Sequence, residues 1–141
     1  MENLYSLKGK NVWITGGKRI GQHIAGVFAG HGANVILSYR NSKKEAEDAI
    51  KKVKKFGVKA LLIKADVSSK KEVIDAVQEI KKQFKKLDIL ILMASIFEKT
   101  GKIESITEEN FKRNFNIHVL GTFLPIQLSL EIMPAGSHII T

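Results

Sequence analysis

The chain has 141 residues, of which 44% are hydrophobic and 26% are charged. This length predicts one domain, and the composition is that of a globular protein with a hydrophobic core. The absence of cysteine excludes a disulfide scaffold, a thiolate zinc site and a cysteine nucleophile. The excess of 23 Lys and Arg over 14 Asp and Glu gives a net charge of +9, which favours phosphorylated ligands, nucleic acids or anionic membranes.

No targeting or membrane-spanning segment is predicted. Residues 1–5 lack a basic region followed by an apolar run, which a secretory signal requires. The longest nearly apolar stretch, residues 89–97, is far shorter than the ~20 residues needed to cross a bilayer. We therefore expect a soluble, cytoplasmic protein without a membrane partner.

The N-terminal third of the chain alternates between strand and helix patterns. The apolar run at residues 11–15 predicts a first strand, which glycines separate from a helix that ends near Gly32. Residues 35–37 begin a second strand. Ser42 and Glu45 then have the spacing of a capping box, which predicts the start of a second helix.

The same alternation continues through the middle of the chain. Residues 60–63 predict a third strand, and Ser69 with Glu72 repeats the capping-box spacing ahead of a third helix. Residues 89–92 predict a fourth strand that is apolar on both faces. Residues 94–106 are predicted to form a loop.

The C-terminal part predicts one more helical region and one more strand. Thr107 is the expected N-cap of a helical region over residues 107–133, with a kink at Pro125, and residues 137–141 begin a fifth strand. The strands lack alternation between apolar and polar residues, so both faces of the sheet are expected to be covered by helices. The prediction is an α/β fold with a doubly wound parallel sheet in a single domain over residues 1–141.

The segment between the first strand and the first helix is the most informative part of the sequence. It reads Thr15-Gly16-Gly17-Lys18-Arg19-Ile20-Gly21. Glycines permit a positive φ and a close approach of the backbone to a pyrophosphate, and free amides at the start of a helix bind anions. The segment therefore predicts a dinucleotide site. A strand-to-helix turn that binds no ligand is the alternative.

The end of the second strand indicates which dinucleotide is bound. An NAD site usually has Asp or Glu about 20 residues after the glycines. Residues 37–42 contain no acid here and offer Arg40, near Lys18 and Arg19 of the glycine loop. A guanidinium can bind a 2′-phosphate that a carboxylate would repel, so the sequence favours NADP(H) over NAD(H). The alternative is that these cations are solvated surface charges.

At these residues the chain resembles the short-chain dehydrogenase/reductase family, and the likeness covers essentially the whole chain as the N-terminal half of such an enzyme. The family's glycine motif is Thr-Gly-x-x-x-Gly-x-Gly, and a pteridine-reductase-like branch has Arg in place of the middle Gly. Thr15-Gly16, Arg19 and Gly21 are similar to this variant, in a loop that is one residue shorter. The resemblance implies a Rossmann-like sheet with strand order 3-2-1-4-5.

Further landmarks of the family follow in order. Asp66-Val67 matches an Asp-Val pair whose Asp usually meets the adenine amino group, and Ala94-Ser95 matches the end of the family's Asn-Asn-Ala-Ser. Leu92 and Met93 replace the two Asn that normally brace the central sheet. The predicted cofactor-binding residues are Gly16, Gly17, Lys18, Arg19, Ile20, Gly21, Tyr39, Arg40, Asp66, Val67, Ala94 and Ser95.

The resemblance implies a carbonyl reductase as the parent architecture. His118 stands where the family has an Asn of its catalytic tetrad, and a relay role or a packed, hydrogen-bonded role are both open. The family's catalytic Ser and Tyr-x-x-x-Lys follow the fifth strand, and Tyr5 and Tyr39 are not in a position to replace that Tyr. We therefore predict no catalytic and no metal residue, and expect a fragment, a truncation or a degenerate paralogue. Such a chain takes a small carbonyl substrate only if a C-terminal half is supplied.

Two surface features suggest partners. Lysines on the second and third helices carry much of the excess charge and are interpreted as solvated helix faces, with nucleic-acid binding as a less favoured alternative. The helical region 107–133 is apolar on nearly all sides and resembles the family's dimer helix, which predicts a homo-oligomer. A non-catalytic interaction subunit that self-associates through this region is the alternative function, and an aggregating fragment is the alternative to self-association.

Overall fold

Five parallel strands form one sheet in the computed structural model, which describes residues 5–97 and 101–141. The strands are β1 (Asn11–Thr15), β2 (Asn34–Tyr39), β3 (Ala60–Lys64), β4 (Ile89–Leu92) and β5 (His138–Ile140). Their order is β3-β2-β1-β4-β5, which confirms the doubly wound Rossmann-like topology expected from the sequence. Residues 1–4 and residues 98–100 of the predicted loop lie outside the described residues.

Helices connect the strands in the described part of the chain. They are α1 (Ile20–Gly30), α2 (Lys43–Lys54), α3 (Lys70–Phe84), α4 (Glu108–Phe115) and α5 (Gly121–Ser129). Short 3₁₀ segments lie at Ile103–Ser105 and Leu130–Ile132, and a π-helix lies at Asn116–Leu120. Each parallel pair of strands needs such a crossover, because successive strands run in the same direction.

The inner strands β2, β1 and β4 are largely buried on both faces, which explains why they are apolar without alternation. The expected cover does not extend to β5, which is exposed. Val12 and Ile14 of β1 pack on one side with α1 and α2, and Trp13 packs on the other side with α3 and α5. All of β1 is buried, since it is the central strand. Because β1 is central, its C-terminal end and the loop that follows it lie in the middle of the row formed by the C-terminal ends of the strands.

Two of the predicted helices begin where expected, after Ser42 and Ser69, but neither has the full capping box. The side chain of Ser42 makes no capping hydrogen bond, because its backbone (φ −87°, ψ 58°) is outside the extended conformation usual for an N-cap. Ser69 does cap α3, accepting from the Glu72 amide, but the Glu72 carboxylate accepts from the backbone amide of Asp66. Thr107 caps α4 in a full capping box with Asn110.

The predicted helical region 107–133 is divided into α4, a π-helix and α5. Pro125 lies inside α5, which runs on to Ser129. The irregular hydrogen bonding falls one turn earlier, in the π-helix Asn116–Leu120. Pro125 has no N–H to donate to the carbonyl four residues earlier, at Gly121, and the π-helix ends before that residue.

The end of the molecule at which the strands begin is rich in lysine, and we call it the lysine end. It includes the last turns of α2 and α3 and the residues that lead into β1, β3 and β4. Its lysines are Lys8, Lys10, Lys51, Lys52, Lys54, Lys55, Lys59, Lys81, Lys82, Lys85 and Lys86. Asp88 pairs there with Lys10 and Lys86, and the Lys59 ammonium bonds the Gln83 carbonyl at the end of α3. Cations at helix C-termini are favoured by the helix dipole.

Candidate functional site

A cleft of about 480 Å³ opens at the C-terminal ends of β1, β2 and β4. In a doubly wound sheet this is the switch point, where connections leave for opposite faces and ligands bind. Every cofactor-binding residue predicted from the sequence lines this cleft. They are residues 16–21 of the glycine loop, Tyr39 and Arg40, Asp66 and Val67, and Ala94 and Ser95.

The glycines of the loop are required by close backbone contacts. Gly16 has a φ of +89°, and a Cβ there would lie 2.8 Å from the carbonyl oxygen of Met93. A Cβ at Gly21 would overlap the carbonyl oxygen of Gly16. Larger residues at either position would push the loop away from β4 or from α1. The glycines therefore fold the loop tightly between the first strand and the first helix.

Arg19 is strained within this loop. Its φ of 52° and ψ of −111° are unusual for a residue with a side chain, and the Gly21 amide donates to the Lys18 carbonyl over 3.3 Å. This is the pattern of a type II′ turn, which favours glycine at the position of Arg19. The strain ends at the N-terminus of α1, whose first turn carries no acid, so the positive end of its dipole faces the cleft without a competing carboxylate on that turn.

The hydroxyl of Thr15 braces the floor of the cleft. Thr15 is fully buried, and its Oγ1 accepts from the amide of Met93 at 3.1 Å and from that of Ala94 at 3.2 Å. The resemblance assigns this bracing to the two Asn that are Leu92 and Met93 here. The motif comparison included Thr15 but did not indicate this bracing role, which adds to the backbone pairing of β1 with β4.

Two cations of the cleft, Lys18 and Arg40, are paired with carboxylates. Lys18 Nζ lies 3.5 Å from Glu45 Oε1, and Arg40 Nη1 lies 3.3 Å from Asp66 Oδ2. Arg40 stands at the end of β2, as the sequence predicted, and its guanidinium keeps further donors because it has five N–H groups. The cleft thus joins glycine-loop amides to a cationic group that can bind phosphate.

Asp66 is held as a carboxylate by its neighbours. Burial alone raises its pKa, but hydrogen bonds from the hydroxyl and amide of Ser68 and from Arg40 outweigh this effect, so the pKa of Asp66 lies below its ordinary value. The Ser68 donors are 2.6 and 2.9 Å from Oδ1. The carboxylate is therefore fixed in orientation at the cleft wall.

His118 lies in the π-helix and is exposed to solvent. It is outside the cleft lining, although its Nε2 is 3.3 Å from the carbonyl oxygen of Ile96, which belongs to the lining. The sequence allowed a His118 side chain packed within an apolar helix, and this expectation is wrong, because its face of the helix is exposed. The expected hydrogen bond of His118 is present, as its contact with the Ile96 carbonyl.

Several residues of the cleft were not predicted from the sequence. They are Ser38, Asn41, Ser42, Glu45, Ala65, Met93, Ile96 and Ile117. Five of them, Ser38, Asn41, Ala65, Met93 and Ile96, directly adjoin predicted residues, so extending each motif by one residue would have found these five. Ile117 could not be found in this way, since it reaches the cleft from the π-helix. The adjoining α5 also approaches closely, because a Cβ on Gly121 would lie 2.6 Å from Val67 Cγ2.

Within residues 5–97 and 101–141, no helix has the length and apolar character needed to span a bilayer.

The geometry of the cleft agrees with comparisons to known proteins. A family model described as short chain dehydrogenase matches residues 10–141. An uncharacterised oxidoreductase of Methylorubrum extorquens is 35% identical over 135 residues, which are 95% of this chain and 54% of that protein.

Solved structures give the same result. A short chain dehydrogenase from Burkholderia cenocepacia, in complex with NADP, has a TM-score of 0.89 and 29% identity and covers 94% of this chain. A blue fluorescent protein from a metagenomic library, in complex with NADPH, has a TM-score of 0.87 and 30% identity and covers 95%. The match takes in 54% and 55% of those two chains, so this chain spans about half the length of its relatives. With a family match from residue 10 to residue 141, the chain belongs to the short-chain dehydrogenase family.

Proposed function

We propose that residues 1–141 form one domain that binds NADP(H), within a protein whose family reaction is hydride transfer between NADPH and a carbonyl or alcohol substrate. The observation that carries this proposal is the position of Arg40. Its guanidinium lines the cleft at the end of β2, where an NAD site usually has an acid. Two structurally similar proteins are complexes with NADP or NADPH, which supports the proposal.

The parts of the cleft divide the work of binding. The amides of the glycine loop and of the α1 N-terminus would hold the pyrophosphate, because both supply donors and partial positive charge. Arg40 and Lys18 would hold the 2′-phosphate, and Asp66 with Val67 would border the adenine. The nicotinamide of the bound cofactor would supply or accept the hydride.

We expect the 141-residue chain to bind the cofactor without turning over a carbonyl substrate by itself. The family's catalytic Ser and Tyr-x-x-x-Lys follow the fifth strand, which is His138–Ile140 here. Tyr39 and Lys43 have the Tyr-x-x-x-Lys spacing. However, Tyr39 packs against the core at the end of β2, on the adenosine side of the proposed site, away from a position next to a nicotinamide.

Titration by NADPH and NADH fluorescence tests the cofactor. We expect NADPH to bind more tightly than NADH, and Arg40→Gln to weaken NADPH binding about 10-fold or more with little effect on NADH, as loss of a charge-assisted hydrogen bond predicts. Arg113→Gln on α4, outside the cleft lining, is the control. Binding of neither cofactor, or a preference for NADH, would contradict the proposal.

Self-association is a second role that one observation favours. Side chains spaced four residues apart on α4, the π-helix and α5 form an exposed row that we call the apolar stripe. It consists of Phe111, Phe115, Val119 and Phe123. Each is about half or more exposed, and a row of this kind usually marks a protein interface. We propose that two copies pair through it.

A cytoplasmic location stays a prediction from the sequence.

A further inference from the structure

Glu45 is an acid inside a cleft that is proposed to bind a phosphate. It lies in the first turn of α2, and its carboxylate lines the cleft together with Lys18 and Arg40. Glu45 Oε1 is 3.5 Å from Lys18 Nζ, and the two side chains are 42% and 58% exposed. Both side chains are therefore accessible to a ligand, which could replace either partner of the ion pair.

The two ion pairs of the cleft differ in how firmly the carboxylate is held. Asp66 is anchored by two bonds from Ser68 and meets Arg40 through a single guanidinium nitrogen. A guanidinium has five N–H donors, so Arg40 can keep Asp66 and still bind a phosphate. The Lys18 ammonium is a compact point charge, and a carboxylate beside it neutralises the charge that a phosphate would use.

We propose that Glu45 is a specificity-determining residue, whose carboxylate competes with the cofactor's 2′-phosphate for Lys18 and so limits the preference for NADP(H) over NAD(H). This inference rests on the proposed function. A phosphate monoester carries about −1.5 to −2 charges at neutral pH, so Glu45 also repels it directly. A ligand without the 2′-phosphate avoids both effects.

A binding experiment on the full chain isolates the 2′-phosphate. The probes are adenosine 2′,5′-bisphosphate, which carries this group, and 5′-AMP, which lacks it, both titrated by isothermal calorimetry. The test variant is Glu45→Gln. The control is Glu47→Gln, because Glu47 lies on the same helix, pairs with Lys43 at 3.7 Å and is outside the cleft lining.

We expect Glu45→Gln to bind adenosine 2′,5′-bisphosphate about threefold more tightly, which is the size expected for an exposed ion pair, and to bind 5′-AMP as the original chain does. The gain should shrink in 1 M salt, where exposed charges are screened. Glu47→Gln should leave both affinities unchanged. Unfolding midpoints within about 4 °C of the original would show that the variants are folded.

Each other outcome overturns a different statement. The specificity role is overturned if Glu45→Gln binds the bisphosphate no more tightly than the original chain does, or if its affinity for 5′-AMP rises by the same factor. In either case, binding of the bisphosphate by the original chain still supports the proposed function. If the original chain and Glu45→Gln both fail to bind the bisphosphate and NADPH, the proposed function fails as well. A change in unfolding midpoint alone, with unchanged ligand affinities, would assign Glu45 only to stabilising the N-terminus of α2.

Discussion

Arg19 joins backbone strain to the candidate site at the scale of one residue. Its positive φ occurs at the N-cap of α1, within the loop that lines the cleft. Strain of this kind costs about 1–3 kcal/mol, persists only where the surrounding structure fixes it, and is common at ligand sites. Lys85 is the other non-glycine residue with a positive φ in the described parts of the chain, and it ends α3 at the lysine end.

Replacing either residue by glycine separates strain from function. We expect Arg19→Gly to raise the free energy of unfolding by about 1 kcal/mol, because relief of strain exceeds the added entropy of the unfolded chain. The same variant should bind NADPH about threefold more weakly, since a cation of the loop is lost. Lys85→Gly should be similarly more stable and bind NADPH normally. Urea unfolding and fluorescence titration measure both effects, and a destabilised Arg19→Gly would refute the strain argument.

Single residues also show where sequence patterns stop being informative. The glycine loop and Arg40 were predictable because strand, loop and helix follow one another along the chain. The Thr15 brace was not, since it depends on two backbone amides about 80 residues away that only the parallel pairing of β1 and β4 brings near. Glu45 had the capping-box spacing, but its carboxylate pairs with Lys18 in the structure.

At the scale of elements, the strands were easier to predict than the last helices. Residues 11–15 and 89–92 were predicted with the bounds that β1 and β4 have, because a buried strand is a short apolar run with turns at its ends. The π-helix at Asn116–Leu120 leaves no comparable signal. An all-round apolar pattern indicates burial on every side, whereas α4, the π-helix and α5 keep one exposed apolar row.

The apolar stripe gives a testable prediction about assembly. We expect the chain to sediment as a dimer, with twice the mass of the 15.7 kDa chain, and the double variant Phe115→Asp with Phe123→Asp to be a monomer. Charges placed in an apolar interface are costly, because they lose their hydration there. Phe56→Asp is a matched control, since Phe56 is similarly exposed at the end of α2 and away from the stripe. A monomeric original chain at high protein concentration would rule out the proposed pairing.

For the whole molecule, acid stability depends on carboxylates that the fold holds ionised. Asp88 is buried, accepts from the Asn11 amide at 2.9 Å and from Lys86 at 2.7 Å, and joins the start of β1 to the start of β4. Burial raises its pKa, but these bonds and the positive charges of Lys86 and Lys10 lower it more, so the pKa of Asp88 lies below its ordinary value of 3.8.

A lowered pKa in the folded state fixes the direction of the pH effect. The stability contributed by Asp88 is fully present well above the unfolded-state pKa and is lost as the pH falls from about 5 through the lower, folded-state pKa. We expect Asp88→Asn to lose about 1–3 kcal/mol of unfolding free energy at pH 7 and to decline less in acid. Asp75→Asn, on the exposed side of α3, should keep the original acid-side decline. Equal pH profiles for Asp88→Asn and the original chain would contradict this account.

The distribution of charge gives the molecule a polarity along its strands. The lysine end lies at one end of the strands and the cleft at the other. On a negatively charged sensor surface or bead at low ionic strength, we expect the lysine end of the molecule to be attracted more strongly than the cleft end, where Lys18, Arg40 and Lys43 are each paired with a carboxylate. Its cleft would then face the surrounding liquid, so an electrostatic support orients the domain for dinucleotide capture without any covalent attachment.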